Sequence, residues 1–213
     1  MIINELKEPN VPGHLSPPQF NFLYQIVLQA TPRTAVEIGT YMGRSSYAIS
    51  KALHDLRGQR KLICVDSWKQ KLDPSYFASD HITHLFKMFP SVRSIYVRPG
   101  EIKSMIELFH ITMERYPFMK EIIEIRNIDS RKVDLSNDSI DFSFIDADHT
   151  YEGVKNDISK ILEGARPGTV MAFHDYSEKH YPGVVQAIQE LRTSRATEWI
   201  GQVEFTAALR ILE

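Results

Sequence analysis

Five short apolar runs, each followed by a segment of helical periodicity, constrain this chain more than any other feature. The runs are Ala35–Ile38, Lys61–Asp66, Ile122–Ile125, Ile140–Ile145 and Thr169–Phe173. Apolar residues recur at helical spacing over 18–30 (Phe22, Leu23, Ile26, Val27), 45–57 (Ala48, Ile49, Ala52, Leu53), 102–115, 151–164 (Val154, Ile158, Ile161) and after Pro182 (Val184, Val185, Ile188, Leu191). Strands that alternate with helices of about a dozen residues pair in parallel through right-handed crossovers. The expected fold is therefore α/β: a doubly wound, mostly parallel Rossmann-like sheet with helices on both faces. Trp199–Ile200 and Phe205–Ile211 read as a closing hairpin that supplies a C-terminal antiparallel strand.

Punctuation marks the element ends. Ser16 precedes Pro17 and Pro18, a helix start in which proline supplies the fixed φ of the first turn. Gly58 closes the helix at 45–57, and Gly164 with Pro167 closes the one at 151–164. Asp148 reads as the cap of that last helix. Residues 1–33 form an N-terminal helical segment and 34–213 a ligand-binding domain. Residues 69–103, broken by Pro74, Pro90 and Pro99, form an insertion that reads as acceptor-binding or lid, with one short helix among Phe77, Ile82, Leu85, Phe86 and Met88.

A chain of 213 residues with 43% hydrophobic and 24% charged residues can build such a core. A formal charge of −2 gives no basic excess for nucleic acid or an anionic membrane. No apolar run approaches the roughly 18 residues of a spanning helix. The single cysteine, Cys64, sits inside a strand run and reads as a small buried residue in a reducing, cytoplasmic compartment. A homodimer is the default expectation for oligomeric state.

Open parallel sheets bind ligands beyond the carboxyl ends of their strands. Those ends carry Glu37-Ile-Gly39, Asp66, Asp129-Ser130, Asp146 and His174-Asp175, so all five are polar or glycine-rich. In AVEIGTYMGRSS, Gly39 and Gly43 let the backbone approach a ligand, and the helix that follows, with Ser45 in its first turn, offers free N–H groups. The spacing is G-x-x-x-G rather than the G-x-G-x-x-G of a dinucleotide site, and Glu37 suits a cationic ligand better than a pyrophosphate. Asp66 stands where a carboxylate accepts both ribose hydroxyls, and Trp68 is placed to stack on an adenine edge.

The blocks VEIGTYMGRSS, CVDSW, NIDSR and FSFIDADHTYEGVKNDISKILEGARPGTVMAFHDY resemble the signature blocks of class I S-adenosylmethionine-dependent methyltransferases. The likeness is nearest to small bacterial macrocin-type sugar O-methyltransferases and more distant to catechol and caffeoyl-CoA O-methyltransferases. It runs from residue 34 to about 176 and is most specific at IDADHTYEGVKNDI. The resemblance implies S-adenosylmethionine as cofactor. Glu37, Gly39, Thr40, Tyr41 and Gly43 would line its methionine part, Asp66 would hold the ribose with Ser67 and Trp68 beside it, and Asp129 and Ser130 would lie near the adenine. Asp146 would sit below the methionine part and the acceptor.

Methyl transfer from a sulfonium asks the enzyme chiefly to align the acceptor and remove its proton. Asp146 and Asp175 end strands expected to be neighbours, and two convergent carboxylates suit Mg²⁺. His149, three residues past Asp146, is the candidate base, and the related families carry a lysine or histidine in that slot. The chain departs from its relatives in two places. Tyr176 follows Asp175 where catechol-type enzymes have asparagine, and His174 stands where the macrocin-like group has an acidic residue. An imidazole ligand at His174 would favour Mn²⁺, Zn²⁺ or Fe²⁺, so the third ligand and the metal's identity stay open, a metal-free site included. The expected acceptor is a small-molecule hydroxyl (a sugar, catechol or polyketide hydroxyl all fit), with N-methylation left open. The competing readings are a nicotinamide-dependent oxidoreductase and a non-catalytic S-adenosylmethionine-binding protein.

Overall fold

The computed structural model describes residues 9–69 and 104–213. The elements, in chain order, are α1 (Pro17–Ala30), β1 (Thr34–Ile38), α2 (Arg44–Asp55), β2 (Lys61–Asp66), α3 (Met105–Arg115), α4 (Phe118–Ile122), β3 (Ile123–Asn127), a 3-10 turn (Ser130–Lys132), β4 (Ile140–Ile145), α5 (Tyr151–Gly164), β5 (Ala165–Phe173), α6 (Pro182–Ser194), β6 (Thr197–Val203) and β7 (Thr206–Ile211). The short helix expected within 69–103 lies outside the described residues. Among the described residues no helix is long and apolar enough to cross a membrane.

The seven strands form one sheet in the order β3-β2-β1-β4-β5-β7-β6. β1 to β5 are mutually parallel, and β7 runs antiparallel to both β5 and β6. Alternation along each strand divides the core between two faces. Ala35, Leu62, Cys64, Phe142 and Phe144 face α1, α2 and α3. Val36, Ile38, Ile63, Val65 and Met171 face α5 and α6. The chain steps outward from β1 to β2 and β3, then returns to place β4 on the other side of β1. Between β1 and β4 the crossovers leave opposite faces of the sheet, and a crevice opens above the strand ends.

Local chemistry explains the element ends. Ser16 and Gln19 form a reciprocal capping box on α1, with Ser16 N–H donating to Gln19 Oε1 at 2.8 Å. The helix at 151–164 has the expected bounds, but its cap is Thr150, whose hydroxyl accepts from Gly153 N–H at 3.1 Å. Asp148 instead accepts from Thr150 N–H at 2.8 Å and braces the turn before the cap.

Two further details differ from the pattern-based expectation. β5 begins at Ala165, directly after α5, because a bulge absorbs Pro167 and Gly168 between the pairs Ile140–Ala165 and Phe142–Val170. The five-residue α4 was not expected from the periodicity, being too short to show one.

Candidate active site

A cavity of about 830 Å³ lies over the carboxyl ends of β1 to β5. All five strand ends reach it, through Ile38 and Gly39, Asp66 and Ser67, Asp129 and Ser130, Asp146, and His174 and Asp175. This is the size and position of a small-ligand site in an open α/β sheet.

The loop after β1 is held against both neighbouring strands. Gly39 N–H donates to Val65 O at 2.9 Å, and Asp146 N–H donates to Ile38 O at 2.8 Å. Gly39 has φ +92°, and a Cβ there would lie 2.2 Å from the Asp146 carbonyl oxygen, so only glycine fits. Asp66 clamps the same loop. Its Oδ2 accepts from the N–H groups of Thr40 (3.0 Å) and Tyr41 (2.9 Å), and its Oδ1 accepts from Trp68 N–H at 2.7 Å. A carboxylate offers about four acceptor positions, so one remains for a ligand. Thr40, Tyr41 and Ser45 line the cavity as well.

Three of the sequence-derived candidates lie outside the cavity wall formed by the described residues. Gly43, at φ +91°, caps α2 and packs on Phe109. Trp68 stacks on Phe109 with 5.5 Å between centroids and donates Nε1–H to Tyr41 O at 3.0 Å. Glu37 is fully buried beneath the loop, because strand alternation turns its side chain toward α2 rather than to the strand tip. There its Oε2 accepts from Ser46 Oγ and, at 3.6 Å, from Cys64 Sγ, while Oε1 has no hydrogen-bond partner among the described residues. Burial, with the negative charge of Asp146 adding to it, pushes the Glu37 pKa up to about 7 against the opposing effect of the nearby Ser45, Ser46 and Cys64 side chains.

At the other end of the crevice Asp146, His149 and Asp175 each bring one donor atom within 4.8 Å of the others. His149 Nε2 is 2.9 Å from Asp175 Oδ2 and 3.9 Å from Asp146 Oδ1. His174 lies behind them, 6% exposed, with Nδ1 at 3.2 Å from Asp146 Oδ1 and 3.3 Å from Asp175 Oδ2. The sequence-derived ligand set was Asp146, Asp175 and His174 with His149 as base. In the structure the exposed imidazole of His149 completes the convergent group and the buried imidazole of His174 bridges the carboxylates from within.

Charge alternates through this cluster. The hydrogen bond to Asp146, then that to Asp175, raises the His149 pKa to about 10, with burial opposing. For His174 burial acts downward, yet Asp146 and then Asp175 carry the pKa up to about 10. Burial disfavours the charged form of Asp175, but hydrogen bonds from His149 and His174 hold it well below the usual carboxylate range. Asp146 is likewise lowered, against burial, by the charge of His174 and by hydrogen bonds from both histidines. With two carboxylates beside it, His149 therefore keeps its proton near neutral pH, and it becomes the neutral base of the sequence reading only when positive charge offsets those carboxylates. Asp175 adopts φ 57°, a conformation aspartate tolerates better than most residues, and this re-aims its carboxylate at the end of β5.

Distant segments complete the wall. Gly13, His14, Leu15 and Gln19 come from the N-terminal segment, and His180, Tyr181 and Phe205 from the region after β5. Ser16 Oγ bonds the Glu204 carboxylate, which ties α1 to the β6–β7 turn. The Tyr181 ring lies 4.9 Å from His149, and His180 meets Phe205 edge-on at 6.0 Å. Under the β3 end, Arg131, Asn156 and Asp157 join Asp129 and Ser130. None of these was singled out from sequence as a ligand contact. Ser16 with Pro17 and Pro18 marked the start of α1, but nothing local shows that Gln19 in its first turn borders a cavity.

Strand order 3-2-1-4-5-7-6, a single antiparallel strand inserted next to β5 and a ligand crevice at the β1–β4 switch define the class I methyltransferase architecture. The chain belongs to the methyltransferase-domain family, whose sequence profile matches residues 36–176.

Solved structures carry the same fold. NovP, an O-methyltransferase, is similar at a TM-score of 0.63 and 18% identity over 93% of this chain and 81% of its own. TomG, an O-methyltransferase from Streptomyces achromogenes involved in tomaymycin synthesis and solved with S-adenosylmethionine, gives 0.60 and 17% over 94% of this chain and 82% of its own. An O-methyltransferase from Bacillus cereus, in complex with S-adenosylhomocysteine, gives 0.55 and 19% over 94% and 83%. No curated protein matches the chain in sequence.

Proposed function

We propose that this protein transfers the methyl group of S-adenosylmethionine to a hydroxyl of a small molecule with the help of a divalent cation. The observation that carries the reading is the convergence of Asp146, His149 and Asp175 at one end of a cavity whose other walls are the glycine loop, Asp66 and the Asp129–Ser130 turn. Asp66 takes a ribose hydroxyl with its remaining acceptor position, Asp129 and Ser130 flank the adenine, and Thr40, Tyr41 and Ser45 surround the methionine part. The acidic character of the cavity favours a cationic cofactor over a pyrophosphate-bearing one.

Two carboxylates and one imidazole within 4.8 Å form a donor set that fits Mn²⁺ well and Mg²⁺ less well, since imidazole is a poor magnesium ligand. Asp146, His149 and Asp175 would hold the ion, and a bound cation lowers the pKa of a hydroxyl beside it. His174 fixes both carboxylates from behind, and Tyr181 and His180 shape the approach of the acceptor.

Calorimetric titration with S-adenosylhomocysteine and with NAD, followed by transfer of a labelled methyl group to a panel of sugars, catechols and phenols with Mn²⁺, Mg²⁺ or chelator, tests the reading. Binding of S-adenosylhomocysteine but not NAD, with turnover that chelator abolishes and Mn²⁺ restores, is the expected result. Chelator-insensitive turnover removes the metal from the proposal, and the absence of S-adenosylhomocysteine binding at millimolar concentration removes the proposal itself.

A further inference from the structure

The tip of the β6–β7 hairpin carries an aromatic side chain that the core does not bury. Among the described residues only two large apolar side chains stand exposed, Leu212 and Phe205, and Phe205, 45% exposed, is on the cavity wall. β6 ends at Val203 and β7 starts at Thr206, so Glu204 and Phe205 form a two-residue turn, with Glu204 at φ 51° where such turns favour glycine or asparagine. The turn is nonetheless fixed from three sides. Ser16 Oγ bonds the Glu204 carboxylate, Gln202 Nε2 donates to Glu204 O at 2.6 Å, and Tyr176 N–H donates to Phe205 O at 2.9 Å. Tyr181 is held as firmly. Its N–H donates to Ser177 O at 2.7 Å, and Gly183, two residues on, packs so close to α5 that a Cβ there would lie 2.5 Å from Tyr151 N. An exposed ring on a rigid turn at a cavity is a preorganised contact for a ligand.

The surroundings say what kind of ligand. Centroid to centroid, His149 lies 4.9 Å from Tyr181, Tyr181 6.5 Å from His180, and His180 6.0 Å from Phe205 in an edge-on contact. A line of rings thus leads from the convergent Asp146, His149 and Asp175 to the hairpin tip, and Tyr181, His180 and Phe205 all stand beyond the family match at 36–176. Aromatic faces and edges of this kind receive a flat ring in stacked or edge-to-face contact. A sugar needs a partner for each of several hydroxyls, and the only hydrogen-bonding side-chain atoms of those three residues are the imidazole nitrogens of His180 and the phenol of Tyr181. A phosphate-bearing acceptor meets Asp146, Asp148 and Asp175, while the two arginines of the described wall are engaged elsewhere, Arg44 on Leu15 O and Val11 O and Arg131 on Asp129. We propose that the acceptor is an uncharged aromatic compound whose ring hydroxyl reaches Asp146, His149 and Asp175 while its ring lies against Tyr181, His180 and Phe205, with Phe205 the specificity-determining contact. The ring hydroxyl gives its proton to water, its oxygen bonds the methyl carbon, and the carbon–sulfur bond breaks to leave neutral S-adenosylhomocysteine. The inference rests on the methyltransferase reading above and names its substrate class.

The test uses the full chain loaded with S-adenosylhomocysteine and Mn²⁺, titrated calorimetrically with catechol, 2,3-dihydroxynaphthalene, methyl glucoside and uridine diphosphate glucose. Both phenols are expected to bind at least about 30-fold more tightly than either sugar, and the naphthalene, whose second ring extends toward Phe205, at least about threefold more tightly than catechol. Phe205→Ala should weaken 2,3-dihydroxynaphthalene at least about tenfold and leave S-adenosylhomocysteine within about threefold, whereas Phe205→Tyr, which keeps the ring, should stay within about threefold of wild type for both. A sugar that binds as tightly as the phenols overturns the inference, as does an unchanged affinity in Phe205→Ala or a Phe205→Tyr as weak as Phe205→Ala. Parallel loss of naphthalenediol and S-adenosylhomocysteine in Phe205→Ala also overturns it, because the ring would then be supporting the fold of the site. Wild-type protein that binds S-adenosylhomocysteine but no phenol at millimolar concentration overturns the acceptor class alone. Wild-type protein that does not bind S-adenosylhomocysteine overturns the cofactor reading instead, which separates the two failures.

Discussion

Replacing Glu37 by glutamine is expected to make the protein more stable above neutral pH, by an amount the burial of this side chain sets. The Glu37 carboxyl has no solvent exposure, one of its oxygens has no hydrogen-bond partner among the described residues, and its pKa stands at about 7 against an ordinary value of 4.5. The folded state therefore holds a proton that the unfolded chain gives up more readily. Below about pH 4.5 both states are protonated and the group does not oppose folding; between about pH 4.5 and 7 the unfolded state ionises first and stability falls; above that the loss is complete. The full difference of about 2.5 pH units corresponds to roughly 3 kcal/mol, of which about 2.5 develops between pH 5 and pH 8. For a chain of this length a change of 1 kcal/mol moves Tm by about 2–4 °C. Glutamine is nearly the same shape and carries no charge to desolvate. The Tm advantage of Glu37→Gln over wild type should thus grow by about 5–10 °C between pH 5 and pH 8, followed by circular dichroism or differential scanning calorimetry. Comparison of the two proteins cancels the titration of every other group. Parallel Tm–pH curves would refute the reasoning, because they would mean that the carboxylate is charged in the folded state without penalty.

Four further outcomes follow from the geometry. Asp175→Asn should weaken Mn²⁺, followed by electron paramagnetic resonance of the free ion, by at least about 100-fold while S-adenosylhomocysteine affinity stays within about threefold; equal loss of both would show a collapsed site instead. His174→Gln, which removes the imidazole that bridges the two carboxylates, should lower Mn²⁺ affinity by about 10–100-fold with the three convergent residues still present. Gly39→Ala drives a methyl group into the Asp146 carbonyl at 2.2 Å and should yield insoluble protein or a Tm lower by more than about 5 °C; a protein of wild-type Tm would mean the loop can move away from β4. Thr150→Ala removes the α5 cap and should cost about 1 kcal/mol in urea denaturation, whereas Asp148→Ala, two residues outside the cap, should cost less.

The strand tips show what could be read from one dimension. Gly39, Asp66, Asp129, Asp146 and Asp175 end or follow apolar runs whose period and length mark strands, and parallel topology alone carries such tips to one edge. The same local rules placed β2, β4 and α5 at their observed bounds. Where a four-residue bulge intervened, as at the start of β5, the pattern broke, because a bulge has no period.

Local pattern therefore determined the order of the elements, the class of the sheet and the edge at which the cavity opens, since periods of 2 and 3.6 depend only on neighbours along the chain. Tertiary packing decided the rest. It buried Glu37 under the loop it precedes, put the imidazole of His149 rather than that of His174 on the open side of the two aspartates, and closed the cavity with Gln19, Tyr181 and Phe205. Those choices rest on contacts such as Ser16 with Glu204 and Arg44 with Val11 and Leu15. Their partners stand 188, 29 and 33 residues apart along the chain, so no short window of sequence contains the information that pairs them.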